Sequence, residues 1–168
     1  MDSTPTFPAP IRQAVRSGES GAGSGQYLSL RLGEEVYAID ILRVQEIRSY
    51  EEPTRMVNSP SFIKGVVNLR GVIVPIVDLR LKFNLPKVEY DEFTVVIILN
   101  VRDAVLGAVV DGVSDVVTLK AENIKAAPQF ESAIEARFIM GLAHVEERTL
   151  IVMNMETLMS NSEMGLVG

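Results

Sequence analysis

The chain contains no cysteine, no tryptophan and a single histidine, His144. Without cysteine there is no disulfide, no thiolate nucleophile, no iron–sulfur cluster and no cysteine-ligated zinc. One imidazole excludes a metal site with two histidine ligands, and no Gly-x-Ser-x-Gly turn accompanies His144 to suggest a serine hydrolase. Neither a metal nor any other cofactor is expected. Long hydrophobic runs are also missing: Phe93–Val101 is about half the roughly 20 residues a membrane-crossing helix needs, and Asn100 interrupts it, so no membrane insertion is expected. The chain start has no cationic-then-apolar progression of a secretory signal, so the cytoplasm is the expected compartment. The basic residues are scattered and the formal charge is −6, which makes nucleic-acid phosphate an unfavourable partner.

What is present is a globular composition. A hydrophobic content of 47% against 23% charged residues supplies enough apolar surface to offset the entropy of ordering. Residues 1–25 differ: they are rich in Pro, Ser and Gly and end in Gly21-Ala22-Gly23-Ser24-Gly25, which predicts a flexible tail. A glycine cluster cradles phosphate when it opens a helix after a strand, whereas here a strand follows. Residues 161–168 are expected to form a short C-terminal tail.

From Gln26 the pattern alternates with period two. Tyr27–Leu32, Gly33-Glu34-Glu35 and Val36–Ile39 predict a hairpin. Ser59-Pro60 suggests a cap and first helical position for a single turn through Lys64, ended by Gly65. Gly65–Arg70, a turn at Gly71 and Val72–Val77 make a second hairpin, in which Pro75 requires an edge or a bulge. Asp78 is expected to cap a brief helix, Leu79–Phe83, stopped by Asn84-Leu85-Pro86. Further strands are expected at Phe93–Asn100, Val105–Val110, Val113–Leu119, Phe138–Val145 and Thr149–Met153, then a short helix Asn154–Ser160. Many short strands with minimal helices predict an all-β protein of small barrels.

The chain also echoes itself. Ile39-Asp40 followed by Val44-Gln45-Glu46-Ile47 resembles Val110-Asp111 followed by Val113-Ser114-Asp115-Val116, with two fewer residues between. Gly65 opens a hairpin ending at Asp78, and Gly141 opens one ending at Asn154, each closing on a residue able to cap a helix. Four acidic doublets, Glu34-Glu35, Glu51-Glu52, Asp91-Glu92 and Glu146-Glu147, sit at predicted turns. There, neighbouring carboxylates point apart and stay hydrated, so they do not form an acid/base pair. No catalytic set emerges, and no enzymatic activity is expected. A solid core without such a set points to a protein that works by binding.

Asn68-Leu69-Arg70-Gly71-Val72-Ile73-Val74-Pro75-Ile76-Val77-Asp78-Leu79-Arg80 closely resembles the signature of the CheW coupling proteins. So do Ile39–Arg48, Ser61–Val66 and Val109–Val116, in family order and spacing, and with their flanking strands these blocks span most of residues 26–160. The resemblance implies two intertwined five-stranded SH3-like barrels with a hydrophobic seam between them. The subdomains would be roughly 26–90 and 91–153, with terminal strands exchanged. It implies an adaptor that joins the cytoplasmic tip of chemoreceptors to the regulatory domain of the histidine kinase CheA in membrane-associated arrays.

By position in these motifs, the receptor-side residues are Val44, Glu46, Gly65, Arg70 and Val116. In an extended strand Val44 and Glu46 share a face, and Arg70 offers a planar fork of donors to a carboxylate or to helix carbonyls. Two readings stand for Val44 and Val116, core or groove. An internal pair is the alternative to binding for Arg70 and Glu46. On the kinase side the resemblance points to Gly107, Met140 and Gly141, the glycines at positions where a side chain would disturb strand packing.

Overall fold

The computed structural model describes residues 25–58, 60–101, 104–126 and 136–160, so both predicted tails lie outside the described residues, Gly25 apart. Among the described residues eleven strands build two sheets: β1 (Gln26–Leu32), β2 (Glu35–Asp40), β3 (Val44–Ser49), β4 (Ile63–Leu69), β5 (Val72–Asp78), β6 (Val95–Val101), β7 (Ala104–Val110), β8 (Gly112–Thr118), β9 (Ile124–Lys125), β10 (Ile139–Val145) and β11 (Arg148–Met153). The first sheet runs β8-β1-β2-β11-β10-β9 and the second β3-β6-β7-β5-β4. The expected all-β architecture of two SH3-like barrels is therefore present, with one sheet carrying a sixth, two-residue strand. In the other barrel the place of that strand is taken by a single bridge, Thr54 to Val66.

Neither barrel is confined to residues 26–90 or 91–153. The hairpin β1-β2 completes a sheet with β8, β10 and β11, while β6-β7 completes one with β3, β4 and β5. The two halves are repeats that exchange their first two strands. Their correspondence extends to single hydrogen bonds: Asp78 N donates to Phe62 O at 2.7 Å, and Asn154 N donates to Phe138 O at 2.7 Å. The register slips between Ile63 and Gly65 and again between Ile139 and Gly141, at the same spacing from those bonds. Val44–Ile47 and Val113–Val116 also correspond, each spanning a bulge. The counterparts of Ile39-Asp40, however, are Ala108-Val109. The parallel pairs Ala38–Val152 and Gly107–Ile76 fix that register, so the Val110-Asp111 end of the sequence echo is displaced by two residues.

Three apolar clusters follow from this exchange. Ala38, Val117, Leu119, Ala143, Leu150 and Val152 fill the first barrel, and Leu69, Val74, Ile76, Val96, Ile98 and Val109 fill the second. A larger cluster, including Leu28, Leu30, Tyr37, Ile97, Leu99, Phe138 and Met153, lies between them as the seam. Each fully buried Leu or Ile contributes on the order of 1.5–3 kcal/mol, so the seam is the dominant apolar term that fixes the barrels together.

Two local expectations are corrected. Pro60–Lys64 is not a helical turn: Ile63 N donates to Pro60 O at 3.0 Å in a tight turn, and the strand begins at Ile63, whose backbone pairs with Val77. Strand pairing and burial of Ile63 in the seam override the local cap signal. β5, which contains Pro75, is an internal strand and the bulge lies in β4 opposite Val77 and Ile76. Pairing with β7 starts only at Ile76, so Pro75 has a sheet neighbour on one side alone and needs no donor on the other. The helix after Asp78 is Leu79–Lys82, and Asp78 caps it by accepting from Arg80 N at 3.0 Å. The last helix is Met155–Ser160.

Candidate functional site

The β4-β5 turn places Arg70 and Gly71 consecutively in the left-handed region, at φ 52° and 89°, the backbone twist that joins two tightly paired strands. Asn68 Oδ1 accepts from Gly71 N at 2.8 Å and stiffens the tip. Arg70 thus stands at the end of a rigid hairpin with 67% of its side chain exposed. Beside it, Val72 and Ile73 are also exposed.

Across from this tip lies Glu46. Arg70 Nη2 donates to one of its carboxylate oxygens and Arg48 Nη1 donates to the other at 3.0 Å. β3 and β4 are the two edge strands of the second sheet, β4 carrying only the single bridge to Thr54, so the Arg70–Glu46 bridge spans the open side of that barrel. A cavity of about 120 Å³ sits in the same opening, lined by Arg48, Ser49, Val67, Leu69, Val96 and Ile98. Burial pushes the Glu46 carboxyl up, but the hydrogen bonds and charges of Arg70 and Arg48 outweigh it and hold the group below the ordinary glutamate range. Two cations around one anion leave net positive charge and unused guanidinium donors, a surface suited to a carboxylate or to helix carbonyl ends.

The bulge in β3 corrects the expected shared face of Val44 and Glu46. Val44 pairs with Leu99 and Glu46 with Ile98, leaving Gln45 as the extra residue. Alternation restarts there: Val44 and Ile47 both point into the seam, and Glu46 turns outward with Arg48. Val44 is only 6% exposed and is core, while Val116 is half-buried and packs against the same cluster. Gly65 is a backbone device. At φ 146°, a Cβ there would come within 2.0 Å of Thr54 O.

The remaining candidates lie elsewhere. Gly107 sits on the central strand β7, where a Cβ would press on Ile76 and Val96 inside the second barrel, at 2.6 and 2.8 Å. Gly141 repeats the constraint of Gly65 in the first barrel, its Cβ position lying 2.3 Å from Lys125 O. Met140 beside it is exposed. His144 is exposed on β10, 3.5 Å from Thr149 Oγ1.

Sequence reasoning took Arg80 only as part of a motif, yet it is fully buried. Its guanidinium donates to both carboxylate oxygens of Asp78, at 2.9 and 3.0 Å, to Asp111 Oδ1 at 2.9 Å and to Glu89 O at 2.6 Å. Tyr90 donates its hydroxyl to Asp78 Oδ2 at 2.6 Å and lays its ring against Arg80. Burial and the Asp78 hydrogen bond raise the Tyr90 phenol well above its usual range, so it stays a donor. Asp111 also accepts from Gly33 N at 2.7 Å, which ties the first barrel's β1-β2 turn to the second barrel's helix.

Comparison with known proteins places this architecture. Residues 26–163 match the family model for the CheW-like domain. The chain is 55% identical over 142 residues to chemotaxis protein CheW of Klebsiella aerogenes, covering 84% of this chain and 86% of that protein. It is 33% identical over 141 residues to a probable chemotaxis protein CheW of Rhizobium etli, covering 84% and 91%. The crystal structure of the scaffolding protein TtCheW from Thermoanaerobacter tengcongensis superposes with a TM-score of 0.73 at 28% identity, over 78% of this chain and 89% of that one. A family match over nearly all the described strands, joined to a matching pair of barrels, shows that this chain belongs to the CheW-like family of chemotaxis proteins.

Proposed function

We propose that this protein is a non-enzymatic adaptor that couples the cytoplasmic tips of chemoreceptors to the kinase CheA in arrays at the inner face of the membrane. The observation that carries the reading is the separation of two solvent-facing surfaces onto two barrels. The Glu46–Arg48–Arg70 cluster with exposed Val72 and Ile73 is on the second barrel, and exposed Met140 beside Gly141 is on the first. Receptor capture is assigned to Glu46 and Arg70, with Val116 at the seam edge; Val44 and Gly65 act by shaping the strand and the bulge that present them. Kinase contact is assigned to Met140, with Gly107 and Gly141 acting through packing of the strands behind the contact. Among the described residues no helix is long and apolar enough to cross a membrane, so array recruitment would run through the receptor.

The test is co-sedimentation of receptor-containing membranes with purified kinase, with and without the chain. The chain should carry kinase into the pellet and raise its activity. Arg70→Glu should weaken receptor capture about tenfold or more, since each tenfold loss corresponds to about 1.4 kcal/mol, with an unchanged circular-dichroism spectrum. Kinase that neither sediments nor gains activity in the presence of intact protein would overturn the proposal.

A further inference from the structure

The internal repeat supplies a template for a pocket. In the second barrel, the linker after the helix Leu79–Lys82 lays Tyr90 against three residues: Asp78, which accepts its hydroxyl, Arg80, whose guanidinium carbon lies 4.8 Å from the ring centroid, and Lys64, whose Nζ lies 5.3 Å away. At the constant spacing that relates Phe62, Gly65 and Asp78 to Phe138, Gly141 and Asn154, the counterparts of Asp78, Arg80 and Lys64 are Asn154, Glu156 and Met140. All three line one cavity of about 300 Å³ in the first barrel, together with Tyr27, Met153 and Met155.

We propose that this cavity is a docking site for an extended segment of a partner protein that presents an aromatic side chain next to basic residues. The aromatic preference follows from the lining. Methionine sulfur makes favourable contact with ring edges, and exposed Met140 stands where Lys64 meets the Tyr90 ring in the other barrel, over a floor that includes Met153 and Met155, whose side chains are buried in the seam. The basic flank follows from charge. In the second barrel Arg80 and Lys64 balance Asp78 and Asp111, whereas here Met140 replaces the lysine. The Arg43–Glu156 pair at 2.8 Å neutralises itself and leaves the Asp40 carboxylate as surplus on the rim. The chain's own residue at the same count after Asn154 as Tyr90 after Asp78 is Leu166, which has neither ring nor hydroxyl. The count-matched residue thus does not reproduce Tyr90, and the aromatic side chain of a partner segment is the occupant the proposal commits to. Met140 is shared with the proposed kinase surface, and a titration run on this chain without kinase reads the cavity independently of that assignment.

The probe is the synthetic peptide acetyl-Lys-Val-Lys-Tyr-Lys-Val-Lys-amide, titrated into the full chain carrying ¹³C-methyl methionine. The methyl signals of Met140, Met153 and Met155 should shift saturably, and a peptide with alanine in place of tyrosine should bind about tenfold more weakly. Met140→Lys, a change at an exposed position, should also weaken binding several-fold by restoring the missing cation. Absence of saturable shifts at millimolar peptide, or equal binding of the alanine peptide, would overturn the site. So would binding that appears only in a Leu166→Asp variant, since the chain's own tail would then be the occupant.

Discussion

The two barrels are the same unit built twice and finished differently. In the second, the helix after Asp78 carries a cation, Arg80, that pairs with an acid on the crossover between barrels, Asp111. In the first, the polarity is inverted: the helix after Asn154 carries the acid, Glu156, and the other crossover supplies the cation, Arg43. The Arg80–Asp111 pair is mostly buried and reinforced by Asp78, Tyr90 and the Glu89 carbonyl; the Arg43–Glu156 pair is more than a third exposed. The backbone solution, a bulge at a glycine and a capped helix, is kept in both copies. Side chains are free to diverge only where that solution does not use them.

The largest effect should separate the two ion pairs. Arg80→Met leaves Asp78 buried without its partner and should cost about 3–5 kcal/mol in urea unfolding, whereas Glu156→Gln at the exposed counterpart should cost under about 1 kcal/mol. Equal losses would show that burial does not distinguish the barrels. Next come the paired glycines. Gly65→Ala meets both a left-handed backbone and Thr54 O, for a loss of about 3 kcal/mol, while Gly141→Ala meets Lys125 O and Ile124 Cγ2 without the left-handed backbone and should lose about 2 kcal/mol. A tolerated alanine at either site would break the equivalence of the two bulges.

A smaller effect concerns the acids on the two bulged strands. Glu46 answers to Arg70 and Arg48, and its counterpart Asp115 to Ser29 and Arg148. In both, burial pushes the carboxyl up and the donors outweigh it, lowering the group below its ordinary value. A depressed carboxyl contributes stability that is complete above the unfolded value, about 4, and is lost as pH falls through the folded value. Arg70→Gln and Arg148→Gln should therefore each cost under about 1 kcal/mol at pH 7, since both pairs are partly exposed, and nothing measurable near pH 2. A cost that persists in acid would assign these arginines to packing instead. Smallest of all, His144→Ala should change stability by less than about 0.5 kcal/mol.

Much of this was legible from alternation and turn chemistry. The β1-β2 and β4-β5 hairpins, the Asp78 cap and the later strands followed from period-two patterns bounded by glycine and capping residues. The outward turn of Glu46 was not, because a bulge adds one residue without disturbing the apolar pattern around it; only the pairing of Val44 with Leu99 and Glu46 with Ile98 reveals it. The single turn read at Ser59-Pro60 failed because Ile63 is claimed by Val77 across the sheet. Arg80 was missed since an arginine in a short capped helix reads as surface, and its burial depends on Asp111 and Tyr90, remote in sequence. Arg70 was visible at the turn. Its bond to Glu46 upheld the internal alternative without removing the exposed guanidinium from use.

The strand order also sets a timetable for synthesis. β3 through β7 are contiguous, so the second barrel has all its strands once Val110 has left the ribosome. β1 and β2 emerge first yet wait for β8, β10 and β11 before their sheet can close. The barrel holding both ends of the described chain should be the last to form, and hydrogen-exchange labelling of chains stalled after Val110 should find β3–β7 protected and β1-β2 open. Protection of β1-β2 at that stage would contradict this order.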